Sequence, residues 1–189
     1  MDKTYRNEFR RKFLTEGLPA PLTRASRHLQ LFDNYLTGTR MRIRTVRDPE
    51  TKQWSWLLQQ RFVVEASDLK YLKIGEINLN AGEHTVLEPF EGNEIRKNRY
   101  FHEFDGREFA VDMYIGKLWG LNIASVEFPD ADAFARFEMP SFAVFDVTNN
   151  EFFFGENLIE KKFEDVQEEV ARMAKAEPTL VRVAENALD

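Results

Sequence analysis

The chain contains no cysteine, which excludes disulfides and thiolate metal sites. That absence fits a reducing compartment, and a cytoplasmic location is the expectation. Histidine is sparse too: His28, His84 and His102 are scattered and share no ligand spacing. Any metal must therefore sit on carboxylate oxygens and be hard, such as Mg²⁺ or Mn²⁺. No apolar run approaches the roughly 20 residues that span a membrane, and residues 1–6 lack the apolar core of a secretory signal. An excess of positive charge is also missing: 26 Lys and Arg stand against 32 Asp and Glu, a formal net charge of −6. General attraction to nucleic acid or to an anionic membrane is not expected, so any anion site must be a local concentration of cations. No repeat, low-complexity tract or long linker interrupts the 189 residues, of which 43% are hydrophobic and 13% aromatic. A single domain over 1–189 with a sizeable core follows.

What is present is most distinctive at Arg40-Met41-Arg42-Ile43-Arg44. In a strand, alternate side chains point to opposite faces, so the arginines share one face while Met41 and Ile43 share the other. Stacked cations persist in a folded chain only where water, an anion or carboxylates neutralise them. Strand patterning recurs along the chain. Strands are predicted over Glu8–Leu14, Arg40–Val46, Gln53–Glu65, Glu94–Phe104, Glu108–Tyr114, Ile123–Phe128 and Phe142–Thr148. Turns are expected at Asp33-Asn34, at Asp48–Thr51, at Asp105-Gly106 and at Asn149-Asn150 before Phe152–Phe154. Short helices are predicted over Leu22–Leu31, Ser67–Lys73 and Asp130–Phe137, and an irregular strand pair over Glu76–Glu88. A C-terminal helix over about 156–176 carries Ile159, Phe163, Val166, Val170 and Met173 at helical spacing, with frayed residues after it.

Strand after strand places charges on one face and apolar residues on the other. The charged faces carry Arg42, Arg44, Arg61, Lys97 and Arg99 against Glu8, Asp112, Glu127 and Asp146. The opposite faces carry aromatics too bulky to leave in water. Closing the sheet into a barrel removes its edges and turns the charged faces into a wet lumen. The expected fold is therefore mainly β, a closed antiparallel barrel with helices outside.

The order of short motifs resembles one family. Glu8-Phe9-Arg10-Arg11-Lys12 resembles the Glu-x-Glu-x-Lys opening strand of the CYTH superfamily, the triphosphate tunnel metalloenzymes. Asp33-Asn34-Tyr35-Leu36 resembles its Gln-Gly-Tyr-Leu turn, Arg42-Ile43-Arg44 its Arg-x-Arg strand, and Lys97-Asn98-Arg99-Tyr100 its Lys-x-Arg-Tyr strand. Val111–Tyr114 resembles its aspartate strand, Gly120–Phe128 its Gly-Leu then Glu-x-Glu strand, and Pro140 with Asp146–Thr148 its Pro then Glu-Val-Thr segment. The resemblance runs from about Glu8 to Leu158.

What it implies is a closed eight-stranded antiparallel tunnel with outer helices and a C-terminal helix. The implied ligand is a triphosphate: inorganic, nucleoside or thiamine. On this resemblance Lys12, Arg42, Arg44, Arg61, Lys97, Arg99 and Arg10 grip phosphate, Glu8, Asp112 and Glu127 hold Mg²⁺ or Mn²⁺, and Lys12, Glu8 and Glu127 do the chemistry. Arginine forks bind phosphate oxygens in pairs and lysine acts as a point charge, which suits phosphoryl transfer. The implied activity is a triphosphatase; the alternative is a metal-poor, non-catalytic binder of polyphosphate or an organic phosphate. A homodimer is compatible with the resemblance, and neither a membrane nor extended nucleic acid is an expected partner. The departures are as specific as the matches. Arg10 stands where the family has a metal-binding glutamate, and Ser125 where it has the first glutamate of a pair. Arg61 replaces a lysine, Gln59 a threonine and Asp146 a glutamate. Ala66–Glu91 carries no family motif.

Overall fold

The computed structural model describes residues 5–65, 68–90 and 92–185. Its strands are β1 (Arg6–Leu14), β2 (His28–Tyr35), β3 (Met41–Arg47), β4 (Trp54–Glu65), β5 (Asp68–Leu79), β6 (Asn93–Phe104), β7 (Arg107–Tyr114), β8 (Asn122–Phe128) and the short β9 (Phe145–Asp146). The helices are α1 (Ala81–Leu87), α2 (Ala131–Arg136), α3 (Gly155–Leu158) and α4 (Phe163–Glu185). The sheet runs β5-β4-β3-β2-β6-β7-β8-β1 and closes through β1–β5, an eight-stranded antiparallel barrel with β9 as an added strand. One edge of β1 pairs with β8 over Phe9–Leu14. Its other edge is shared, with β5 taking Arg6–Phe9 and β9 taking Phe13–Leu14.

Local chemistry sets several joins. Asp105 and Gly106 both have positive φ, 49° and 68°, which is the two-residue turn that matches the strand twist between β6 and β7. The Asp48 carboxylate accepts from the backbone N–H of Glu50 at 2.9 Å and Thr51 at 3.3 Å, closing the β3–β4 turn.

Several sequence expectations need correction. Leu22–Leu31 is not a helix: Thr23 and Ser26 tie that segment into turns through side-chain to backbone bonds, and β2 begins at His28 because it can pair on both edges, with β3 and β6. Asp33-Asn34 is therefore mid-strand, and the turn falls at Leu36–Arg40 around Gly38, φ 74°. The helix expected from Ser67, which itself lies outside the described residues, is instead strand β5 with Leu72 and Ile74 buried. The strand pair expected over Glu76–Glu88 is the end of β5 followed by α1, started by a capping box between Asn80 and Glu83. Phe142–Thr148 shrinks to the two residues of β9, because β5 already covers part of that edge of β1. Asn149-Asn150 does turn, but into a 3₁₀ turn over Glu151–Phe153, with the Asn150 side chain accepting from Phe152 N–H. The C-terminal helix is broken after α3. The Asp165 carboxylate accepts from Lys162 N–H at 2.7 Å where α4 begins, and the apolar stripe still packs inward across the break.

Two apolar clusters bracket the lumen. Phe13, Phe109, Val111, Ala124, Val126, Phe128 and Phe134 pack between the outer barrel wall and α2. Leu14, Ile95, Tyr114, Leu121, Ile123, Phe153, Leu158 and Val166 join one end of the barrel to α3 and α4. A side chain such as Phe13 or Phe109, fully buried, contributes about 1.5–3 kcal/mol by leaving water. The plug formed by residues 150–158 fits only because residue 155 is glycine: a Cβ there would fall on the Tyr35 hydroxyl. Gly155→Ala is expected to destabilise the fold by about 1–3 kcal/mol through this overpacking, read as a lower urea midpoint, whereas Gly17→Ala, with no neighbour within 4 Å, changes little. Among the described residues no helix is long and apolar enough to cross a membrane.

Candidate functional site

The inward faces of the strands build the lumen. β1 supplies Arg10 and Lys12, β2 Tyr35, β3 Arg42 and Arg44, β4 Arg61, β6 Lys97 and Arg99, β7 Asp112 and Tyr114, and β8 Ile123 and Ser125, with Phe153 and Gly155 across one end. All seven cations predicted from the sequence to bind phosphate thus meet in one cavity, by the two-residue alternation of their strands. The free space among them is about 40 Å³, and a pocket of about 90 Å³ adjoins it, lined by Tyr35, Arg40, Arg42, Gln59, Arg61 and Glu156.

Asp33 is the hub. Arg44 donates to both of its oxygens, Nε at 2.6 Å and Nη2 at 2.7 Å. Arg42 Nη1 donates at 3.4 Å and Lys97 Nζ lies 3.5 Å away. Lys97 also reaches Asp112 at 2.7 Å, whose oxygens accept from Arg99 Nε at 2.7 Å and Nη2 at 2.8 Å. Arg42 is further oriented by Gln59 Oε1 at 2.7 Å and the Tyr35 hydroxyl at 3.0 Å. A sequence reading that pairs Arg42 and Arg44 with Glu8, Asp112 or Glu127 misses this hub. The signal was present: Asp33 lies two residues before Tyr35, on the same strand face.

Burial pushes the Asp33 and Asp112 carboxyls up, but the surrounding guanidiniums and Lys97 hold both well below the usual carboxylate range. Glu8, with no exposed side-chain surface, sits between Arg10 at 2.7 Å and Arg61 at 2.5 Å. These cations overcome burial and lower it to about 2. On the two lysines burial acts in the opposite sense. Burial, with Arg61 and Arg10 beside it, lowers Lys12 to about 7, and burial lowers Lys97 to about 8 against the pull of Asp112 and Asp33. Lys12 lies over the Phe154 ring at 4.6 Å and, among the described residues, has no carboxylate at ion-pair distance. Seven cations thus line the lumen against the three carboxylates of Glu8, Asp33 and Asp112, an arrangement completed by an anion.

Two sequence expectations change. Asp146 does not face the lumen; it pairs with Arg11 on the outer wall. Glu127 is not inside either. Its side chain is 46% exposed, at the mouth, held by Arg10 and by Arg6 at 3.6 Å. Glu8, Asp112 and Glu127 therefore do not gather as the expected metal site, and among the described residues no three acidic or histidine side chains do. The donor chemistry explains it: Glu8 accepts from Arg61 on Oε2, with Arg10 against Oε1 as an ion pair only, Asp112 is held by a bidentate guanidinium and an ammonium, and Glu127 by two arginines. A hard divalent ion needs several carboxylate oxygens free to face it, and in this set the buried oxygen without a hydrogen-bond donor, Glu8 Oε1, already lies against Arg10.

The closed eight-stranded antiparallel barrel around a cation-lined lumen is the architecture that the sequence resemblance implies. Solved structures agree on that fold. The crystal structure of the inorganic triphosphatase NE1496 superposes with TM-score 0.54 at 24% identity, over 82% of this chain and 95% of that one. A second structure, described as the hypothetical protein NE1496, gives TM-score 0.55 at 23% identity, over 82% and 99%. Among curated proteins, an inorganic triphosphatase of Acetivibrio thermocellus is 32% identical over 74 residues, 39% of this chain. That match spans 46% of the relative's length. No family model matches the chain.

Proposed function

We propose that this protein is a triphosphatase that binds inorganic triphosphate in its barrel and hydrolyses it to diphosphate and phosphate. The observation that carries the reading is the excess of lumen-lining cations: Arg10, Lys12, Arg42, Arg44, Arg61, Lys97 and Arg99 line one cavity in which Asp33 and Asp112 are already shared between several of them. A short linear polyanion neutralises that surplus. The inorganic triphosphatases among the similar proteins support the same substrate class. Phosphoryl transfer needs positioning and charge stabilisation more than covalent chemistry. In the proposal Arg42, Arg44 and Arg99 fix the phosphate chain, and Arg61 and Arg10 face its outer end. Lys12, which titrates near neutrality, supplies a proton to the departing oxygen. Any Mg²⁺ or Mn²⁺ in turnover arrives on the triphosphate rather than on this chain's own carboxylates. The site belongs to a cytoplasmic enzyme of small molecules, without membrane or extended nucleic-acid partners.

The test is phosphate release from tripolyphosphate, ATP and thiamine triphosphate, with and without Mg²⁺ and Mn²⁺. Release from at least the first supports the proposal; no release from any of the three, under any metal condition, refutes it.

A pH dependence follows from Lys12. Its charge is lost as pH rises through about 7, so triphosphate affinity is expected to fall across pH 7 to 9, with proton uptake on binding that grows over that range. Calorimetry in buffers of different ionisation enthalpy measures the uptake. The effect on folding has the opposite sign. Lys12 is lowered from 10.5 to about 7 in the fold, so the unfolded chain holds more protons between those values, and Lys12 adds stability as pH rises through that window. Lys12→Met is expected to remove both trends. Arg61, Arg10, Glu156 and Glu8 act on Lys12 in that environment; of these Glu8, lowered to about 2, stays charged throughout.

A further inference from the structure

We propose that Arg10 is the resident cation of this tunnel: its guanidinium occupies the place between Glu8 and Glu127 that a divalent ion would take, so the ligand-free protein binds no such ion and grips triphosphate without one. Arg10 and Glu127 are direct cross-strand partners in the β1–β8 ladder. The same nitrogen, Arg10 Nη2, contacts Glu127 Oε1 and lies 2.7 Å from Glu8 Oε1. One positive group therefore bridges two carboxylates from adjacent strands, as a metal ion does.

The neighbouring groups reinforce the exchange. Glu8 is pinned from its other oxygen by Arg61 at 2.5 Å, and Glu127 is reached by Arg6 at 3.6 Å. Ser125, which pairs with Lys12 one step along the ladder, offers a neutral hydroxyl directed to the Ala110 carbonyl at 3.5 Å. Asp112, the remaining carboxylate of the expected set, has both oxygens in the fork of Arg99. To enter, a divalent ion would have to displace Arg10 from between buried Glu8 and exposed Glu127 and leave that cation unpaired at the same place. Like charges at that spacing oppose it. Arg10 also lines the lumen, so it can turn its remaining N–H groups to a phosphate oxygen while keeping its carboxylates. That last step rests on the triphosphate reading; the occupancy of the Glu8–Glu127 site does not.

The experiment is a Mn²⁺ titration of the ligand-free protein followed by electron paramagnetic resonance, which counts unbound Mn²⁺ directly. Wild type is expected to bind none with a Kd tighter than about 1 mM. Arg10→Glu, which frees both carboxylates and adds a third, is expected to bind one Mn²⁺ at least about tenfold more tightly than wild type. Arg10→Met, which frees the carboxylates without adding one, is expected to fall between them and serves if Arg10→Glu does not fold. Micromolar Mn²⁺ binding by wild type that Glu8→Gln removes would overturn the proposal. In parallel, wild type is titrated with tripolyphosphate in chelator and in Mg²⁺. Binding in both supports the proposal. Binding in Mg²⁺ alone overturns it and leaves the triphosphate reading standing. Binding in neither overturns the triphosphate reading, while the Mn²⁺ result still decides the occupancy of the site.

Discussion

Asp33→Asn is expected to cost about 3–5 kcal/mol of folding stability, the range for breaking a buried ionic network by removing one partner. For a chain of this size that is a fall in Tm of roughly 6–20 °C. The reason is the concentration of dependence on one group: Arg44 in a two-pronged contact, Arg42 and Lys97 all use the Asp33 carboxylate. Asparagine keeps the shape and loses the charge, so three buried cations face each other with Asp112 as their near counter-ion. The same argument predicts a rescue. Tripolyphosphate supplies the missing negative charge, so it should raise the Tm of Asp33→Asn by more degrees than that of wild type at equal saturation. At a hundredfold excess over Kd, ligand binding alone is worth about 2.7 kcal/mol. Thermal melts with and without the ligand measure both effects. A variant as stable as wild type would mean that Asp33 is not the hub of the network.

The largest expected effect on binding comes from the forks on the two strands that flank β2. Arg42→Ala and Arg99→Ala should each weaken tripolyphosphate binding by about 2–4 kcal/mol, roughly 30- to 1,000-fold. Part of the loss at Arg99 is indirect, because Asp112 would then face the polyanion with only Lys97 shielding it. Arg99→Lys separates the two causes. It keeps the charge on Asp112 and loses the planar fork, so its affinity should lie between alanine and wild type. Arg24→Ala, which removes a cation stacked on exposed Trp119 away from the lumen, should leave affinity unchanged. Unchanged affinity in both Arg42→Ala and Arg99→Ala would remove the lumen as the binding site.

Much of the barrel was legible because its strands alternate strictly. Arg42 and Arg44, Lys97 and Arg99, and Glu8, Arg10 and Lys12 could each be placed on one face by counting in twos, and closure follows from having charged faces that must turn toward each other. The legible part stopped where pairing overrides local preference. His28–Tyr35 reads as part of a helix and a turn, yet becomes a central strand because two neighbours supply its hydrogen bonds. α1 was missed although Asn80 and Glu83 carry a helix-start signal. The site was legible for its cations, whose charge excess is visible in the alternation, and illegible for its anions. Which carboxylate meets which cation depends on the stagger of strands around the barrel. That stagger brings Asp33 beneath Arg42 and Arg44 and leaves Glu127 at the rim.

The closure of the barrel also sets an order of assembly during synthesis. Arg10 and Glu127, which face each other in the β1–β8 ladder, are separated by 117 positions in the chain. β1 is made before the other strands of the barrel and finds its β8 partner only after nearly all of them have emerged. Until then Arg42, Arg44, Lys97 and Arg99 stand on an open, curling sheet, where water rather than a lumen surrounds them. Long-range joins of this kind are slow, because the entropy of closing the loop comes before the contacts that reward it. A nascent chain stopped before Phe128 therefore lacks the wall that completes the anion site. In the finished protein, appearance of triphosphate affinity during refolding would report the moment when the first and eighth strands meet.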